Sequence, residues 1–344
     1  MRAVTFEGRN KVAVSDVDDP TIREPGDVIL RVTSSAICGS DIHFYNGRIP
    51  IPLTGWVMGH EYVGEVVEVG DGVTKFKPGE RVVGAAYASC GECFYCRRGW
   101  PSQCMKQEHF GSGMLPGAQA EYLRVPYGQA TLERVPGDIS DEQAILVGDV
   151  LPTGYFAVEQ ADVQPGDVVV VVGSGPVGLC AQMCALMVEP KVVIAIDSVP
   201  ERLELSRRIG ALPVDMNAQD PGGVIREHTE GRGADVVLEA VGHQDSLRSC
   251  FQYVRPAGTI SAVGVYSEAE FPFPMFLAYL RDLTFKIGAC PAKNYLSKLL
   301  GMIEGGKLDP TVILSHSLPL EEAPHGYDIF ANHKESCVKV VLKT

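Results

Sequence analysis

Residues 167–178 read DVVVVVGSGPVG, and the fold is decided there. The five valines, Val168–Val172, have no polar face, which suits a parallel strand covered on both sides. The strand runs straight into Gly173-Ser174-Gly175-Pro176-Val177-Gly178, a G-x-G-x-x-G pattern. Gly173 makes the tight turn, Gly175 lets the backbone approach a pyrophosphate, and Gly178 lets the following helix pack close to the strand. The N–H groups that a helix leaves unsatisfied at its start, around Pro176 and Val177, hold an anion. Asp197 closes the next strand-like run, 19 residues after Gly178. A carboxylate there accepts hydrogen bonds from ribose hydroxyls and repels a 2′-phosphate, which favours NAD over NADP. Arg202, five residues further on, would tolerate that phosphate, so NADP stays open as the alternative.

Outward from this loop, strand-like runs alternate with helical stretches. Strands are expected at Val168–Val172, Val192–Asp197, 236–240, 259–264 and 284–288, with helices at 177–188 and 201–211. Parallel strands need such crossovers, so residues 165–288 read as a doubly wound α/β domain. Val241, Val263 and Val265 fall at strand ends, where open sheets of this kind bind ligands.

The whole chain has 344 residues, enough for about two domains. Hydrophobic residues make up 45% and charged residues 21%, which excludes a disordered or fibrous chain. A net charge of −13 repels phosphate backbones, so no nucleic-acid partner is expected. No apolar run approaches the roughly 18 residues of a membrane span. The opening MRAVTFEGRN has no signal-peptide core. The composition reads as a soluble, cytoplasmic protein without a membrane partner.

Residues 1–150 have a different texture. Short valine- and glycine-rich runs, broken by Pro-Gly turns, suggest a barrel-like β unit. Alternation places Val63, Glu65, Val67 and Val69 on one face of a strand. The segment 88–106 carries Cys90, Cys93, Cys96 and Cys104. Thiolates two residues apart converge on one ion from a tight loop, and four complete a closed tetrahedron around a structural zinc. An iron–sulfur cluster is the chemical alternative for such spacing. Elsewhere, Cys38, His60 and Asp149 offer sulfur, nitrogen and oxygen, the three-donor set of a catalytic zinc with one open place. No spacing rule joins positions so far apart.

AICGSDIH (36–43), GHEYVGEVVEVG (59–70), the four-cysteine lobe, GDVLPTGY (148–155) and VVVVVGSGPVGLCA (168–181) carry a resemblance along essentially the whole chain. In order and spacing they resemble the zinc-containing medium-chain alcohol and polyol dehydrogenases. The resemblance implies a GroES-like catalytic domain, 1–150 with 290–344, and a Rossmann NAD-binding domain, 151–289. It implies two zinc ions per subunit. The catalytic one would be held by Cys38, His60 and Asp149, the last standing where the family often has cysteine or glutamate. Asp41 corresponds to the carboxylate that orients the zinc-binding histidine, and Glu61 to a glutamate that approaches the metal during ligand exchange. Ser40 and His43 match a proton relay from substrate oxygen to solvent. Val241, Val263 and Val265 would border the nicotinamide.

The implied reaction is hydride transfer from an alcohol or polyol to NAD. An aldehyde dehydrogenase or dismutase and a threonine-type amino-alcohol dehydrogenase are the alternatives. Relatives are dimers or tetramers, and a chain of this size resembles the tetramers. Trp56, Phe44, Ile49, Phe110 and Leu115 are candidate pocket residues, each equally suited to core packing.

Overall fold

The computed structural model describes residues 1–49, 54–113, 115–333 and 336–344. In it the strand Val168–Val172 is buried along its whole length. It is joined by Val192–Asp197, Leu212–Asp215, Ala234–Glu239, Val254–Ala262 and Thr284–Ile287 in one parallel sheet. Numbered by chain order, these six strands lie 3-2-1-4-5-6. The strand order therefore reverses between the first and fourth strands, where open α/β sheets bind ligands. Val168, Val170 and Val172 pack with Ile194, Ile196 and Ile260 in one core. Each such valine contributes roughly 1.5 kcal/mol or more relative to an exposed one.

Several elements here differ from the sequence expectation. The helix after the first strand runs Pro176–Leu186, with proline in its first turn, where the missing N–H is harmless. The third strand, Leu212–Asp215, is too short and proline-broken to show a period. The fifth strand starts at Val254, five residues before its expected start, because Arg255-Pro256-Ala257-Gly258 reads as a turn. The helices Pro221–His228 and Gln244–Tyr253 were not expected. The latter buries Leu247, Cys250 and Phe251, a spacing of three and four that marks a helix face.

The chain separates into two compact units, Met1–Pro152 with Pro291–Thr344, and Thr153–Cys290. The first is built on a seven-stranded sheet. Its central strand, Val28–Ile37, pairs antiparallel with Glu61–Val69 on one side and with Val340–Lys343 on the other. Tyr122–Val125 also pairs with it. The carboxyl-terminal strand is thus an interior strand, and it pairs in parallel with His316–Pro319.

The expected face of Val63, Glu65, Val67 and Val69 is not continuous. The register between Val28–Ile37 and Glu61–Val69 slips twice, once so that Ile29 faces Glu68 while Leu30 faces Val66. A bulge of this kind leaves one residue unpaired and breaks the two-residue period. Val67 is consequently 37% exposed, while Tyr62, Val66 and Val69 meet in the core. Among the described residues no helix is long and apolar enough to cross a membrane.

Candidate active site

Three neighbouring strand ends build the site. In the sheet register Ala36 faces Glu61, and Ile37 faces Val340. Cys38 follows Ile37, His60 precedes Glu61, and Lys339 precedes Val340, so all converge at one edge. Cys38 is also the N-cap of the helix Gly39–Tyr45. Asp149 arrives from the other direction, after the turn Leu146–Gly148 and before the helix Val150–Ala161.

The result is a buried cluster in which donor atoms of Cys38, His60, Glu61 and Asp149 all lie within 4.8 Å of one another. The Cys38 thiol donates to Asp149 Oδ2 at 3.2 Å, and His60 Nε2 lies 3.4 Å from the same oxygen. His60 Nδ1 lies 3.1 Å from Asp41 Oδ1. Asp41, fully buried, also accepts the Cys38 N–H at 2.9 Å and the Gln119 amide at 3.4 Å. Tyr327 in turn donates to Gln119 at 2.9 Å. The imidazole is thereby oriented with Nε2 toward the cluster, as second-layer carboxylates do for metal-binding histidines.

Charge shapes the cluster as well. Burial raises the Cys38 thiol pKa, and the nearby Asp149 charge raises it further. Burial works against a charged His60, but Asp41 and Asp149 outweigh it and hold its pKa well above the usual histidine value. Burial likewise opposes ionised Asp149, yet the hydrogen bond and charge of His60 bring its pKa down to about 2.

Glu61 is not a surface acid. Its Oε1 accepts from Lys339 Nζ at 2.6 Å, and both side chains are fully buried. Burial would lower the lysine, but Glu61 holds its pKa up at about 12. Glu61 Oε2 is buried without a hydrogen-bond partner. Lys339, Gln119 and Tyr327 escaped the sequence reading. For Lys339 a signal existed: a lone cation inside the apolar run CVKVVL.

Ser40 and His43 lie on the helix Gly39–Tyr45, three residues apart and so on one face. Ser40 Oγ is 3.3 Å from His60 Nε2. Phe110 and Leu115 belong to the core around Tyr62. Phe44 is partly buried against a second core, and Trp56 pairs across to Phe6. Ile49 is half-buried.

The second cluster is local. Cys93 and Cys96 sulfurs are 3.5 Å apart, Cys93 and Cys104 3.9 Å, and Cys104 and Cys90 3.4 Å. Four sulfurs about 2.3 Å from a common zinc have edges of about 3.8 Å. These spacings therefore fit that ion, and they exceed the roughly 2.05 Å of a disulfide. Backbone N–H groups of Cys96 and Met105 bring the Cys93 thiol down to about 6. Cys104 sulfur accepts N–H bonds from Cys90 and Lys106, both at 3.3 Å.

In the other unit, Gly173 has φ +95°, and a Cβ on Gly178 would lie 1.9 Å from the Gly173 oxygen. Both must be glycine for the loop to close. A Cβ on Gly175 would meet nothing within 4 Å, so the loop is open on that side. Gly175 caps the helix Pro176–Leu186, and a helix start leaves its first N–H groups without partners inside the helix. Asp197 Oδ2 accepts the Ser174 N–H at 2.6 Å, and Oδ1 accepts those of Ser198 and Val199 at 2.7 and 2.9 Å. Three N–H bonds leave one lone-pair site of the carboxylate for a ribose hydroxyl. Arg202 lies in the next helix, Pro200–Ile209. Val241 and Val265 are half exposed, at 49% and 48%, and Val263 is 8% exposed.

A three-donor cluster with a polar escort, a four-sulfur lobe and a dinucleotide-type loop define a zinc-type oxidoreductase of two domains. Residues 24–136 match the family model "Alcohol dehydrogenase GroES-like domain", and residues 176–304 match "Zinc-binding dehydrogenase". Zinc-type alcohol dehydrogenase B of Aspergillus flavus is 42% identical over 352 aligned residues, covering 100% of this chain and 81% of its own. The solved alcohol dehydrogenase TADH from Thermus sp. ATN1 is 43% identical, with a TM-score of 0.95, covering 100% of this chain and 99% of its own. Two more distant structures, each 26% identical over 100% of this chain and 99% of theirs, carry cofactors. The short chain alcohol dehydrogenase rspB of E. coli CFT073 holds NADH, with a TM-score of 0.89, and a zinc-binding dehydrogenase from Sinorhizobium meliloti 1021 holds NADP, with a TM-score of 0.87. The chain belongs to the zinc-containing medium-chain alcohol dehydrogenase family, with a GroES-like and a Rossmann-like domain. It is a zinc-dependent oxidoreductase acting on alcohols.

Proposed function

We propose that the chain oxidises an alcohol or polyol with NAD, giving an aldehyde or ketone and NADH. The carrying observation is the convergence of Cys38, His60 and Asp149 beside the Ser40 hydroxyl. Three protein donors leave a fourth tetrahedral place for substrate, whereas Cys90, Cys93, Cys96 and Cys104 leave none. On this reading the chain holds two zinc ions, one catalytic and one structural. When bound, the catalytic zinc polarises an alcohol oxygen and the nicotinamide accepts a hydride.

The chain's residues do the rest. Cys38 and His60 give up protons to become ligands, so loading the site releases protons. Asp41 fixes the His60 tautomer. Glu61, anchored by Lys339 through one oxygen, keeps the other available for the metal during ligand exchange. Ser40 would take the substrate proton as it releases its own, which His43 would accept and hand to solvent, since histidine titrates near neutral pH. At the glycine loop Gly173, Gly175, Pro176, Val177 and Gly178 cradle the pyrophosphate. Asp197 selects NAD over a 2′-phosphorylated cofactor, with Arg202 in the helix that follows, and Val241, Val263 and Val265 border the nicotinamide.

We also place the enzyme in the cytoplasm, since none of its ten cysteines forms a disulfide among the described residues. A homo-oligomer is supported by an exposed apolar surface, and a tetramer over a dimer by the resemblance of this chain's size to the tetrameric relatives. Met275, Phe276, Tyr279 and Leu280 are 59–77% exposed, and Thr284–Ile287 is an open sheet edge nearby in the chain. Such edges invite pairing with a second copy. Light scattering that finds a monomer removes this part of the reading.

Absorbance at 340 nm with a panel of alcohols and polyols tests the reaction. NADH formation abolished by a chelator is expected. Turnover indifferent to the chelator rejects the zinc role, and faster reduction of NADP rejects the Asp197 assignment. Conversion of an aldehyde without net NADH identifies a dismutase instead.

A further inference from the structure

Glu239 ends the fourth strand of the parallel sheet, Ala234–Glu239, paired with Val172 where the strand order reverses. It is fully buried. Its Oε1 accepts the backbone N–H of Val241 at 2.9 Å and of Gly242 at 3.0 Å, and the Ser246 hydroxyl at 2.6 Å. Its Oε2 accepts the Tyr266 hydroxyl at 2.6 Å. Three of these donors share Oε1 and one holds Oε2, so neither buried oxygen is left without a partner. Burial and then the Glu239 charge push the Tyr266 pKa up, so the phenol stays a donor.

The donors come from two separate loops. One follows the fourth strand and carries Val241 and Gly242, leading into the helix Gln244–Tyr253 that holds Ser246; the other follows the fifth strand and carries Gly264, Val265 and Tyr266. The loops press on each other. A Cβ on Gly242, where φ is +77°, would lie 2.4 Å from the Val265 oxygen. One on Gly264 would lie 2.2 Å from the Gly242 nitrogen and 2.7 Å from Glu239 Oε2. Outer contacts also join the loops, from Gln244 to the Glu270 carbonyl and from His243 to Glu268. Those are exposed and hold little. Glu239 is the dry fastener, and a buried carboxylate is retained against the bias of desolvation only where its partners are complete.

We propose that Glu239 is a positioning residue that clamps these two loops into one rigid rim, so that Val241 and Val265 present a preformed wall to the nicotinamide ring. The proposal rests on the NAD reading above and deepens it. A preformed wall spares the ordering of two loops on binding. Its effect should therefore fall on the nicotinamide half of the cofactor and not on the half held by Gly173–Gly178 and Asp197.

The test compares NADH with ADP-ribose, which lacks only the nicotinamide, by equilibrium titration of the zinc-loaded enzyme. In Tyr266→Phe the affinity for NADH should fall about tenfold, the usual scale for losing a hydrogen bond to a charged group. ADP-ribose should change less than about twofold. Glu239→Gln keeps an acceptor oxygen for the two amides and a carboxamide N–H for Tyr266, so a smaller loss, about threefold, is expected for NADH alone. Equal weakening of both ligands would mean a general defect of the domain and would overturn the clamp. Unchanged affinity for both in Tyr266→Phe would overturn it too. If the unaltered enzyme binds neither ligand, the NAD reading fails first and the clamp falls with it.

Discussion

Cys90 and Cys104 are 14 residues apart, and the two cysteines between them complete their cluster from one stretch of chain. Cys38 and Asp149 are 111 residues apart, and their cluster forms only where three strand ends meet a remote helix start. The local cluster uses backbone N–H groups to lower a thiol and needs little else. The assembled one depends on Asp41, Gln119, Tyr327 and Lys339, none of which is a ligand. A site made by a loop is a property of that loop. A site made by a fold inherits every weakness of the fold.

That contrast can be broken most directly by removing one donor from each cluster. His60→Ala should leave one zinc per chain by atomic absorption and lower kcat about a thousandfold or more, since a Lewis acid supplies several kcal/mol. Cys104→Ala should also leave one zinc, but lower the melting temperature before it lowers turnover. Equal kinetic losses at intact stability would erase the distinction between the clusters.

A smaller effect probes the dependence of the assembled cluster on its surroundings. Lys339→Met leaves Glu61 buried and without its cation, which should destabilise the protein by about 3–5 kcal/mol in urea unfolding. Adding Glu61→Gln should recover part of that loss. No recovery would mean that the lysine acts through packing alone.

The smallest effects sharpen the roles on the helix Gly39–Tyr45. Ser40→Ala should lower kcat about a hundredfold and His43→Ala about tenfold, within the range for proton-transfer groups. Indistinguishable, negligible losses in steady-state kinetics would remove the relay.

The same contrast explains what the sequence revealed. Strand, glycine loop and Asp197 were legible because each is local and chemically demanding. The four cysteines were legible for the same reason. Cys38, His60 and Asp149 are ordinary residues in isolation, and only their flanking motifs, through resemblance, singled them out. Glu239 offered the same pattern as Asp197, an acid closing an apolar strand before a small residue, and went unread. Val67 was misplaced because a bulge is invisible to a two-residue period. Gln119 and Tyr327 gave no signal, since their partner Asp41 is reached only through the tertiary fold.

The interior position of the strand Val340–Lys343 has a consequence for synthesis. Translation delivers Val28–Ile37 well before Val340–Lys343, its neighbour on one side. The 138-residue unit Thr153–Cys290 emerges in between and is able to fold on its own while the first unit waits, open along one edge. Lys339 then arrives with the closing strand. The nascent polypeptide therefore has no finished catalytic pocket until the strand Val340–Lys343 has joined Val28–Ile37.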